Sequence, residues 1–146
     1  MKKIVAVLSI LSIFILLFAT GCGTTVSELN VDNTESIIES DLKNMQEVDE
    51  ESLQDVYGLN LDIMEVHVIK QNTEGDLYAI IKTNEKTQVK NDMVKYFEKI
   101  QKFNANYSPE RLEILNNRVE KEIGDYLIYI VAKNADEIYN NIVKSL

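Results

Sequence analysis

Few residues in this 146-residue chain have the side chains and spacing that reaction chemistry needs. The single histidine, His67, lies between Val66 and Val68 in a segment that alternates as a strand does, sharing a face with Glu65, and no second histidine exists to complete a zinc site of the usual kind. Asp49, Glu50 and Glu51 are adjacent carboxylates. Consecutive positions on a helix or turn diverge, so adjacency alone does not make an acid–base dyad. No serine sits in a glycine elbow, and the chain has no phosphate-binding glycine loop and no calcium loop. Seven tyrosines offer rings, and Tyr57, Tyr78, Tyr126 and Tyr129 are candidates for an aromatic ligand surface. Packing of the rings into a core is the stronger expectation for strand and helix-end tyrosines. The residues therefore predict a protein that is not an enzyme, with no catalytic residue, no cofactor and no metal ligand set. The competing class is an envelope hydrolase using surface carboxylates or a weakly bound metal.

One thiol remains, and its setting is specific. Cys22 follows a basic start at Lys2 and Lys3 and a sixteen-residue, mostly apolar run from Ile4 to Ala19. That order is the pattern of an export signal. As a helix the run would reach about 24 Å, short of the roughly 30 Å hydrocarbon core of a bilayer. The tripeptide Ala19-Thr20-Gly21 before Cys22 resembles the lipobox of bacterial lipoproteins, with Ala19 where that motif favours leucine. The resemblance implies cleavage between Gly21 and Cys22, lipidation of the Cys22 sulfur, and a protein held by a lipid anchor on the outer face of a bacterial cell membrane. Two acyl chains anchor stably where one gives marginal binding. No other cysteine exists, so no internal disulfide can form and stability must come from the core.

The elements that would carry these residues follow from periodicity. Residues 1–21 read as the signal peptide, 22–33 as the lipidated cysteine and a polar tether, and 34–146 as one α+β domain. A helix is predicted from Thr34 or Ser36, with Ile37, Ile38, Leu42 and Met45 on its stripe, and a short one over Glu50–Tyr57 with Leu53, Val56 and Tyr57 on one face and Gly58 as its cap. Met64–Gln71 and Asp76–Thr83 read as a hairpin across Asn72–Gly75. Apolar residues from Val89 to Phe103 fall three or four apart, predicting a helix. Ser108 and Pro109 open another short helix as N-cap and first helical residue. Arg118–Ile123 and Tyr126–Lys133 read as two more strands around Gly124-Asp125, and Asn134 as the cap of a last helix whose stripe is Ile138, Tyr139, Ile142, Val143 and Leu146. The expected architecture is α+β, a mainly antiparallel four-stranded sheet with the two longer helices on one face, preceded by short helices.

DVYGLN at Asp55–Asn60, LYAIIKTNEKTQV, YSPERLEILNN and GDYLIYIVAKNADEI resemble, in order and spacing, the small bacterial lipoproteins that carry domain of unknown function family 4358. The similarity runs from about Asp55 to the C-terminus. It implies location and a coherent fold, and no catalytic residues to carry over.

Charge narrows the partners. The formal net charge of −9 falls by two, to −11, when Lys2 and Lys3 leave with the signal peptide. No clustered basic field exists, which argues against nucleic acid as a partner. Glu28–Glu65 holds twelve acidic residues and one basic residue, Lys43, whereas Val66–Leu146 holds twelve of each sign. Such a stretch is ordinarily a solvated surface; the alternatives are a docking face for a basic partner and a loose divalent-cation site. The expected partners are the membrane, through the anchor, and an envelope protein.

Overall fold

The structure is a computed structural model that describes residues 28–104 and 108–146. The segment expected to be a signal peptide, and Gly21 and Cys22, where cleavage and lipidation are expected, lie outside the described residues.

Helix α1, Val31–Asp41, starts three residues before the predicted Thr34 because Asn30 caps it: the Asn30 Oδ1 accepts from the Asn33 N–H at 2.9 Å. A two-residue strand β1, Gln46–Glu47, follows, then a π-helical turn at Ser52–Val56 and a 3₁₀ turn at Leu61–Ile63. Strands β2, Val66–Gln71, and β3, Leu77–Lys82, form the predicted hairpin. Helix α2 spans Lys86–Asn104 and helix α3 Pro109–Asn116, with Ser108 as its N-cap. Strands β4, Val119–Ile123, and β5, Tyr126–Val131, lead into helix α4, Ala135–Lys144.

The sheet is antiparallel with order β1-β2-β3-β5-β4. It has five strands where four were expected. The extra strand, β1, is too short to show a period of two, and only its pairing of Gln46 with Gln71 and Glu47 with Lys70 makes it one. β3 and β5 are central and read as apolar on both faces, as strands covered on both sides do.

That two-sided burial corrects a second expectation, that both longer helices share a face. Leu77, Ala79, Ile81, Leu127 and Tyr129 pack with Val89, Met93, Tyr96 and Phe97 of α2. Tyr78, Ile80, Ile128 and Ile130 point the other way, against Ile38 of α1 and Ile138 and Ile142 of α4. The helices α2 and α4 therefore sit on opposite faces, and α1 joins α4.

Four positions on the predicted stripes are not in the core. Val56 is 51% exposed, Val143 46% and Leu146 50%, because the π turn rotates Val56 outward and α4 ends beyond the sheet's cover. Phe103, at the end of α2, is likewise exposed. Asn134 stands at the N-cap of α4 but makes no side-chain capping bond.

The register gives the sheet two ends. Val66, Lys82, Ile123 and Tyr126 mark the lower end, where Lys82 also binds Glu28, the first described residue. Gln71, Leu77, Val119 and Val131 mark the upper end, where α4 begins.

Candidate functional site

The predicted carboxylate run does not converge. Asp49 Oδ1 accepts from the Ser52 N–H at 2.8 Å, which makes it a local cap and holds its carboxyl below the usual range. Glu50 Oε1 lies 3.3 Å from His67 Nε2, a contact at the surface between the π turn and β2. His67 thus pairs with Glu50 at the surface of the domain. Among the described residues no group of three or more His, Cys, Asp or Glu could hold a metal ion.

The fold instead assembles a carboxylate pair that was not singled out. Glu35 and Glu39 lie one turn apart on α1 and face β2 and β3. Tyr78 donates its hydroxyl hydrogen toward Glu39 Oε1 at 2.7 Å and Glu35 Oε1 at 2.9 Å. Lys70 Nζ binds the same two oxygens at 2.9 and 2.6 Å. Lys70, and then Tyr78, hold the Glu39 carboxyl below its usual value. Burial first, then the two glutamates, raises the Tyr78 hydroxyl well above a free phenol. The signal available in the sequence was the spacing of Glu35 and Glu39; their partners come from strands more than thirty residues away. Each carboxylate oxygen that faces the sheet is already occupied by a donor. The group acts as a polar clasp between α1 and the sheet.

A second knot closes the upper end. Arg111 Nη1 of α3 binds Asp76 Oδ1 at 3.0 Å, both side chains largely covered. Asn72 Oδ1 accepts from the Glu74 and Asp76 N–H groups while its Nδ2 donates to the Lys43 carbonyl. The tyrosines proposed as a ligand surface are core: Tyr78, Tyr126 and Tyr129 are buried, and Tyr57 meets Tyr96 edge-on at 4.7 Å.

One open cavity, of about 360 Å³, lies between α3 and the start of α4, at the upper end of the sheet. Ile114, Ala132 and Ala135 give it an apolar wall, and Glu110, Glu113, Asp136 and Lys133 ring it. None of these four ionisable side chains makes an ion pair or side-chain hydrogen bond among the described residues. The contrast with the lower end is direct. The cavity there, of about 450 Å³, is lined by Glu28 and Lys82, which are paired at 2.7 Å. No sequence pattern marked the upper cavity, because its walls come from two helices that are not neighbours in the chain.

No helix among the described residues is long and apolar enough to cross a membrane. Neither a curated protein nor a solved structure matches the chain. The family resemblance holds over more than half of the sequence, with limits that differ from those expected: it begins at residue 39, before Asp55, and ends at residue 132, before α4. Over residues 39–132 this chain belongs to the family described as Domain of unknown function (DUF4358).

Proposed function

We propose that the protein is a non-catalytic binding module, fixed to the outer face of a bacterial cell membrane by a lipid on Cys22. The observation that carries this reading is the disposition of the two ends. Glu28, six positions after the residue suited to lipidation, is paired with Lys82 at the lower end, while the cavity ringed by charges that find no partner among the described residues opens at the upper end. A tether below and a concave polar surface above is what an anchored module needs to meet an envelope protein. Three carboxylates against one lysine favour a partner that brings positive charge.

Two measurements test the halves separately. Metabolic labelling with an alkyne fatty acid should mark the wild-type chain and leave Cys22→Ser unmarked; an unmodified Cys22 thiol rules the anchor out. A photo-crosslinker at Lys133 should capture a defined partner in intact cells, and Glu110→Lys with Glu113→Lys should abolish that capture. Capture that ignores the charge reversal rules out the cavity as the contact.

The second reading, an envelope hydrolase, draws on the Glu35–Glu39 pair. Its weakness is that Lys70 and Tyr78 fill the space a substrate and a water would need.

A further inference from the structure

We infer that the lower end of the domain is a membrane-docking surface, on which the tip of α4 rests against the bilayer and the upper cavity faces away. This rests on lipidation of Cys22. A chain of six residues spans at most about 20 Å when fully extended, so Glu28 cannot stand further than that from an acylated Cys22. Glu28 is pinned to Lys82 at the lower end, so that end is the part of the domain nearest the lipid.

The same end carries part of the exposed apolar surface. α4 starts at the upper end, where β5 leaves the sheet, and runs back over the face it shares with α1. Ten helical residues descend about 15 Å. They deliver Val143, about half exposed, and Lys144 to the end that holds Glu28, and Leu146, also about half exposed, follows just beyond the helix. Apolar side chains beside a lysine suit the boundary between headgroups and acyl chains.

The test uses the full chain in protoplasts and a membrane-impermeant maleimide. Lipidation consumes the sole native thiol, so the wild-type protein should not label and an introduced cysteine becomes the one reactive site. Val143→Cys and Val56→Cys compare residues of equal type and similar exposure, 46% and 51%, at opposite ends: Lys99, three turns and more along α2 from its lower start, binds the Val56 carbonyl. Cysteine at 143 should label about tenfold more slowly than at 56, as a site in the interfacial layer would. In urea the two should label alike. Equal rates in protoplasts, with the wild-type chain unlabelled, overturn the docking and leave the anchor standing. Labelling of the wild-type chain at Cys22 overturns both, and is a different result.

Discussion

Two buried tyrosine hydroxyls in this domain meet opposite environments. Tyr78 lies between Glu35 and Glu39, whereas the Tyr96 hydroxyl, equally buried, has no hydrogen-bond partner among the described residues. Removing a satisfied hydroxyl and an orphaned one should have different costs. Tyr78→Phe is expected to lower stability by about 1–3 kcal/mol, because two carboxylates lose their shared donor. Tyr96→Phe should be neutral or stabilising; urea unfolding of both variants decides it. The clasp also sets an acid response. The Glu39 carboxyl is depressed from its usual 4.5 in the folded chain, so the unfolded chain binds that proton more readily. The stabilisation is present above about pH 4.5 and drains away as pH falls through the folded value. Glu39→Gln should therefore lose less urea stability than wild type as pH falls below about 4.5; parallel losses there would remove the clasp from the account. Spacing made Glu35 and Glu39 legible as neighbours, but nothing local says that Lys70 and Tyr78 will face them.

At the scale of elements, the β2–β3 turn shows what a short stretch can and cannot announce. Gly75 was legible as a turn residue, and it does adopt φ +87°, where other residues are strained. Its second constraint was not legible: a Cβ there would lie 3.0 Å from the Arg111 guanidinium, supplied by α3. The guanidinium that would have to give way is the one bonded to Asp76. Gly75→Ala is expected to cost about 1–2 kcal/mol, read as a shift of the urea midpoint. Helix α4 makes the complementary point. Its apolar spacing identified Ile138 and Ile142 correctly as core, yet Val143 and Leu146 continue the same stripe into solvent. Periodicity marks a face of a helix and is silent on where the neighbouring sheet stops.

For the whole molecule, the sheet is covered on both sides, and the cover is unequal in origin. The α2 face lies within residues 39–132, the part shared with the family, whereas α4 and most of α1 fall outside it. A chain ending at Ala132 would expose Ile128 and Ile130, which are fully buried in the 146-residue chain. A bare apolar face of that kind drives aggregation. Purified chain truncated after Ala132 should bind a hydrophobic dye and scatter light where the full chain does not; a soluble, cooperatively folded product would show that α4 is dispensable.

The sequence alone determined what depends on neighbours along the chain: the hairpin across Asn72–Gly75, the long helix after Lys86, the Ser108 cap, and the small-residue approach to a single cysteine. Backbone geometry and side-chain period act within a few residues, so one strand or helix can declare itself unaided. Only the tertiary structure decided the fifth strand, the placing of α2 and α4 on opposite faces, the Glu35–Glu39–Lys70–Tyr78 clasp and the cavity between α3 and α4. Each of these joins residues distant in sequence, and their meeting is set by how two apolar sheet faces find cover, a property that no single segment holds.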